Sequence, residues 1–396
     1  MMQAIAIKKG ILPESSGFIR YVFYIIRNGF RKKFETKLFL PHILIRNKAP
    51  VFYFKKCDRS ELFQNFYIHS EDRNNRISFE QSLELSGTTA FIVLQEDTIL
   101  YEKYFNGFSR GSLFRVYSIS KSFLSALVGI VLQEGLIQSI HEPVIKYIPE
   151  FKSGNLGELT IANLLRMDSG IGFSLGYAPW KDQIKSYFCR NCRKLVSRIR
   201  IENPVGRYFH YNDYHSLLLI RVIEKAIGSS MISYFEEKLW QPLEMEFPAV
   251  LYCDSKRYGL PKFESGLSVR PIDLAKFGRL FLNEGSWNGQ RILEKTWIEA
   301  STKRDPNDTC KRYCSDFIRP QLLRWFQSGK GYYQYHWWGN EIDQNVFDYF
   351  ALGIFGQFLY ISPRKRCIVI RLGTKKGIRN WWPNVLKRVV DRISLN

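Results

Sequence analysis

The chain has 396 residues, 45% of them hydrophobic, and its 58 Lys and Arg against 37 Asp and Glu give a formal net charge of +21. That composition allows a sizeable core in one large domain or two ordinary ones, and it excludes a globally disordered chain. No run approaches the roughly 20 apolar residues that a spanning helix needs, and no basic-then-apolar-then-small secretory pattern opens the sequence.

The charge is uneven. Residues 1–56 hold twelve Lys or Arg and two Glu, a surplus of ten. Within them "GFIRYVFYIIRNGFRKKF" sets Phe18, Val22, Ile25, Ile26 and Phe30 on one helical face, and Arg20, Arg27 and Arg31 on another. Such a basic amphipathic helix fits peripheral contact of residues 1–40 with an anionic membrane. It fits equally a terminal helix packed on the domain with its basic side in solvent. Nucleic-acid motifs are missing, so nucleic acid is not an expected partner. The expected location is cytoplasmic, with membrane association through this segment as the variant. Residues 1–56 are read as a basic extension and 57–396 as the main domain.

Two apolar runs around Gln95-Glu96-Asp97, from Thr88 to Phe105, predict a β-hairpin. From Ser118 to Gly135, apolar residues at Phe123, Leu124, Leu127, Ile130, Val131 and Leu132 have helical spacing, and Gly135 suits the position after the helix end. Thr160 is a predicted N-cap for Ile161 to Met167. "YHSLLLIRVIEKAIGSS" predicts an amphipathic helix stopped by Gly228. Another begins at Pro271, a residue suited to a first turn. A second hairpin turns at Ser362-Pro363-Arg364-Lys365, and "WPNVLKRVVDRI" predicts a terminal helix. The order implies an α+β fold. An antiparallel sheet is built from N- and C-terminal segments and flanked by helices, with a helical lobe of about 118–330 inserted and the cleft between them.

Seven cysteines form no compact disulfide framework. Cys189-x-x-Cys192 and Cys310/Cys314 have the look of two halves of a zinc site, but nothing else supports a metal. Reduced thiols and no metal or cofactor are the expectation.

The chemistry-bearing feature is Ser118-x-x-Lys121 at a helix start. Residues three apart share a helix face, so a lysine whose charge is relieved by burial can take a serine's proton. The spacing alone is weak, and it equally describes a capping hydroxyl with a lysine in the next turn. A second match, Ser362-x-x-Lys365, reads as an exposed turn beside a proline.

Context strengthens the first match. "FRVYSISKSFLSALVGIVLQEGLIQSIHEPVIKYIPEF", "LTIANLLRMDSGIGF", "NPVGRYFHYNDYHSLLLIRVIEKAIG" and "GLSVRPIDLAKFGRLFLNEGSWNGQRIL" together resemble the serine β-lactamase-like family. The branch they resemble most is that of the 6-aminohexanoate-oligomer hydrolases and related esterases. The resemblance covers roughly residues 85–375 and implies a β-lactamase/transpeptidase-like fold. It puts the family's Tyr-x-Asn tyrosine at Tyr211, with Asp213 where many members have Asn. It puts the third motif, on a sheet-edge strand, at Ala351-Leu352-Gly353.

What the resemblance implies is acyl transfer through a serine ester. Ser118 would be the nucleophile and Lys121 the base, directly or through Tyr211. The amides of Ser118 and Ile354 would form the oxyanion hole, Gly353 would admit the substrate, and Tyr177 would line the cleft. Ala351 removes the cation or imidazole that binds a substrate carboxylate, and Asp213 removes an amide donor. Both departures favour a neutral or amine-bearing amide or ester over a β-lactam. The alternatives are a D-amino-acid peptidase or β-lactamase of the same fold, or a catalytically silent scaffold or membrane-surface member.

Overall fold

Along "TTAFIVLQ" (Thr88–Gln95) every residue is buried, because both faces of this strand are covered. Alternate side chains enter different cores. Ala90, Ile92 and Leu94 pack with the helices Ser120–Gln133 and Pro271–Leu282. Phe91 and Val93 pack with Phe79 and Leu83 of one flanking helix and with Leu386 and Val389 of the terminal helix Trp382–Asp391. The period-2 alternation of one strand thus sets a helical layer on each side of the sheet.

The computed structural model describes Tyr21 and residues 40–150, 155–256, 259–378 and 381–394. The amphipathic segment within residues 1–40 lies almost wholly outside the described residues. The strands are β1 (His42–Ile45), β2 (Lys55–Lys56), β3 (Thr88–Gln95), β4 (Thr98–Tyr104), β5 (Phe114–Arg115), β6 (Ala249–Tyr252) and β7 (Leu267–Val269). They continue with β8 (Ser286–Trp287), β9 (Gln290–Arg291), β10 (Gly331–Gln334), β11 (Trp337–Asp343), β12 (Val346–Gly353), β13 (Gln357–Ser362) and β14 (Cys367–Gly373). The large sheet has the order β10-β11-β12-β13-β14-β3-β4-β2. Its pairings are antiparallel except for β2 on β4. N- and C-terminal segments meet where β14 pairs with β3, Ile370 opposite Ile92. The fold is therefore the expected α+β arrangement, an antiparallel sheet flanked by helices.

Both predicted hairpins and the helices take their expected places. Thr160 caps Ile161–Arg166 in a capping box with Asn163, Gly228 ends Asp213–Ile227 in the left-handed conformation, and Pro271 opens Pro271–Leu282. Three details differ. A small second sheet, β1-β6-β7-β5, joins two strands of the lobe to two that precede it in the chain. The strand bearing Ala351 to Gly353 is not at the sheet edge, because β10 and β11 extend the sheet beyond it. Ser362 is fully buried rather than exposed: its hydroxyl donates to Asp348 Oδ1 across the sheet at 2.7 Å, although Pro363–Lys365 does form the predicted turn.

Candidate active site

The segment Val116–Ser122 is fixed from two directions. Val116 N–H donates to Leu267 O at 3.0 Å, and Leu267 N–H donates to Ser120 Oγ at 3.1 Å, tying the segment to β7. Ser122 Oγ donates to the His336 carbonyl at 2.9 Å, and the His336 ring Nδ1–H donates to Lys121 O at 3.0 Å. Ser120 and Ser122 are thus spent on anchoring. Ser118 stays half-buried in the 3₁₀ turn Tyr117–Ile119 that leads into the long helix.

The residue before it is held in a costly conformation. Tyr117 has φ of 49°, a left-handed value that a bulky residue adopts at a cost of about 1–3 kcal/mol. Its ring is clamped between Phe355, at 5.4 Å edge-on, and the Arg115 guanidinium, at 5.2 Å. This packing holds the strained backbone that presents Ser118.

Lys121 is 1% exposed, and its Nζ lies 3.5 Å from Ser118 Oγ. The ammonium also donates to Asp213 Oδ1 at 2.8 Å and to the Glu264 carbonyl at 2.6 Å, and it sits 5.1 Å from the centre of the Tyr211 ring. Burial pulls its pKa down, but Asp213, Tyr211 and Glu264 together outweigh burial and leave it raised. The resting lysine is therefore a cation. Asp213 comes from the first turn of the helix Asp213–Ile227, which Asn212 caps by accepting from His215 N–H at 3.3 Å. Tyr211 packs against Trp338 and Tyr333 of the large sheet, with ring centres 5.6 and 5.9 Å away.

Gly353 closes the other side. A Cβ built on it would lie 2.3 Å from the Val116 carbonyl, so only glycine lets β12 approach the serine turn this closely. Beyond it Ile354 is 49% exposed, and Phe355 and Gly356 follow with φ of 64° and 78°. Buried Arg371 holds this turn, its Nη1 donating to the carbonyls of Phe355 and Gly356 at 2.9 and 2.6 Å. Burial pushes that guanidinium down to about 9. Ala351 is buried against the helix layer and offers no charge or imidazole.

The structure thus brings together Ser118, Lys121, Tyr211, Asp213 and Gly353. Tyr177 is 66% exposed on the loop before the helix Asp182–Phe188, where its carbonyl accepts from Tyr21 Oη. Sequence reasoning missed the Glu264 carbonyl, His336 and Arg371. A lone arginine inside "CIVIRLG" was the one signal available, since a buried charge demands partners. The seven cysteines are thiols, and among the described residues no cluster of three His, Cys, Asp or Glu could hold a metal. Among them, too, no helix is long and apolar enough to cross a membrane.

The buried imidazole behind Lys121 gives a pH prediction. Burial pushes His336 down from 6.5 to about 3. Below pH 6.5 the unfolded chain takes up a proton that the folded chain refuses, so stability is complete above 6.5 and falls toward pH 3. The expected slope is about 1.4 kcal/mol per pH unit for this group. Replacing His336 by Asn, which tolerates the φ of 66°, should flatten the decline in melting temperature between pH 6.5 and 4. Parallel declines for both proteins would refute this.

The profile of the β-lactamase family matches residues 80–380. The chain is 26% identical over 321 residues to the 6-aminohexanoate-dimer hydrolase of Paenarthrobacter ureafaciens, covering 77% of this chain and 75% of that protein. A Bacillus anthracis structure with a provisional 6-aminohexanoate-dimer hydrolase description superposes with a TM-score of 0.73 at 20% identity, covering 91% of this chain and 92% of that one. The penicillin-binding protein of Bacillus halodurans superposes with a TM-score of 0.56 at 18% identity over 75% and 95% of the two chains. The fold is that of the β-lactamase/transpeptidase class. The chain belongs to the β-lactamase family of hydrolases.

Proposed function

We propose that the chain is a serine amidase or esterase working through an acyl-serine intermediate. The observation that carries this reading is the pairing of a half-exposed Ser118 hydroxyl with a fully buried lysine amine 3.5 Å away. Ser118 Oγ attacks the substrate carbonyl carbon. Because Asp213 holds Lys121 as a cation, the route through Tyr211 is favoured over direct proton abstraction by the amine. In the reactive form the proton stays on Nζ and the Tyr211 oxygen carries the balancing negative charge. The serine proton passes to that oxygen as the bond to carbon forms, and the phenol then protonates the departing amine or alcohol. The amides of Ser118 and Ile354 receive the developing oxyanion.

Gly353→Ala tests that last role. The added methyl must push β12 away from Val116 and carry the Ile354 amide with it, so kcat should fall by about 10²–10³, the usual cost of one oxyanion donor. Unchanged ester turnover with a correctly folded variant would remove Ile354 from the site.

Substrate class follows from charge. Ala351 supplies no cation for a substrate carboxylate. That lack of a cation suits an amine-bearing or neutral substrate. A cavity of about 540 Å³ lined by Asp182, Glu202, Asp316 and Arg319 includes none of Ser118, Lys121, Tyr211 and Gly353, so its charge is not assigned to the substrate. The test is a panel of short p-nitrophenyl esters, ω-amino amides and a chromogenic cephalosporin. Esters and amine-bearing amides should be cleaved and the cephalosporin only slowly. Fast cephalosporin hydrolysis without esterase activity would overturn this reading.

A further inference from the structure

Cys189 and Cys192 sit where the helix Asp182–Phe188 gives way to Cys192–Val196. Their side chains are hydrogen-bonded to each other. Cys189 is half-buried and Cys192 fully buried. The Lys262 ammonium lies 4.0 Å from Cys192 Sγ, donates to the Ser186 carbonyl at 2.9 Å and pairs with Glu264 at 2.6 Å, both charged side chains being fully buried. The Glu264 carbonyl is the acceptor that holds Lys121, and Ser186 Oγ donates to Asp213 at 3.4 Å. One short network therefore joins the thiol pair to the lysine beside Ser118.

Exposure divides the labour between the two sulfurs, since an oxidant can reach half-buried Cys189 but not fully buried Cys192. The hydrogen bond from Cys192 lowers the Cys189 thiol, burial opposes it, and the Lys262 charge lowers it again, leaving it below the ordinary thiol range. Cys192, as donor and fully buried, is pushed well above that range. Burial also pushes Cys253 and Cys367 up to about 12, so they are poorer nucleophiles.

We propose that Cys189 and Cys192 form an oxidation site, with Cys189 as attacking thiolate, Cys192 as resolving thiol and a hydroperoxide as oxidant. The Cys189 sulfur attacks the peroxide, an S–O bond forms, the O–O bond breaks, and the leaving oxygen departs as water or alcohol after taking a proton. Cys192 then gives up its proton and attacks the sulfenic sulfur. The S–S bond forms and the S–O bond breaks, releasing water. Two thiols lose two electrons and the peroxide gains them. A dithiol reductant reverses the change by exchange. The disulfide replaces a polar sulfur pair facing Lys262 with neutral atoms, and Lys262 braces the segment whose carbonyl fixes Lys121. Oxidation should therefore slow acyl transfer, a consequence that rests on the hydrolase reading above.

The test treats the full chain with hydrogen peroxide and maps its peptides under non-reducing conditions while following p-nitrophenyl ester hydrolysis. The 189–192 disulfide should form before any other cysteine is oxidised, and the rate should fall several-fold and return with dithiothreitol. Cys189→Ser and Cys192→Ser, which keep a polar atom toward Lys262, should keep the untreated rate and lose the peroxide response. Oxidation of other cysteines first, with these two left as thiols, would overturn the site. A 189–192 disulfide with an unchanged rate would establish the site and overturn its coupling to Ser118. Absence of hydrolysis in untreated protein would refute the hydrolase reading while the peptide map still decides the site.

Discussion

Ser118→Ala should abolish turnover of every ester and amide that the chain cleaves, by about 10⁴–10⁶ in kcat. It should also abolish labelling by a fluorophosphonate, which bonds to an activated serine oxygen. Ser362 shares the Ser-x-x-Lys spacing but should remain unlabelled in the same protein. Its hydroxyl is fully buried and committed to Asp348, and Lys365 donates to the Ile393 carbonyl at 2.7 Å instead of facing it. The Ser118→Ala variant should melt close to the parent, because the one side-chain bond removed is long and half-exposed. Peptide mapping of the labelled protein and a melting curve check both parts. Full activity in Ser118→Ala, or labelling at Ser362, would refute the assignment.

Lys121→Ala should lose nearly as much rate, because it removes the cation that balances charge on Tyr211. Losses in a group that acts as a unit do not add, so Ser118→Ala/Lys121→Ala should be little worse than either single variant. Tyr211→Phe should lose about 10²–10⁴, the range for a lost acid–base group. Stability separates the lysine from the other two. Lys121 Nζ is buried among Asp213 Oδ1 and the Glu264 carbonyl. Its removal leaves both acceptors short of a donor, at about 1–3 kcal/mol. Lys121→Ala should therefore melt several degrees lower, whereas Ser118→Ala and Tyr211→Phe should not. Additive rate losses in the double variant would show that serine and lysine act independently.

The juxtaposition of Ser118 and Lys121 was legible because residues three apart share a helix face, and because the stretches around them resemble a known family in the right order. The contacts around the pair were not. The resemblance put Asp213 at the site, but its bond to Lys121 spans 92 positions of chain and arises only because two helices dock. The Glu264 contact is made by a backbone carbonyl, which no residue type announces. The strands β10 and β11 hide in "GYYQYHWWGNEID", where bulky aromatics buried on both faces erase the alternation that reveals a strand. The strands of the small sheet run two to four residues, too short for any period to show. Ser362 looked exposed because Pro363-Arg364-Lys365 follows it, yet β13 pairs with β12 and sets its hydroxyl on the buried Asp348.

The proposed chemistry requires a covalent bond between substrate and one serine oxygen. Mixing the chain with excess p-nitrophenyl ester and quenching within the first turnover should give a burst of p-nitrophenol matching the enzyme concentration. The acyl mass should appear on the peptide containing Ser118, absent from Ser118→Ala. Steady ester hydrolysis with no burst and no acylated peptide, from protein that remains fully active, would contradict it.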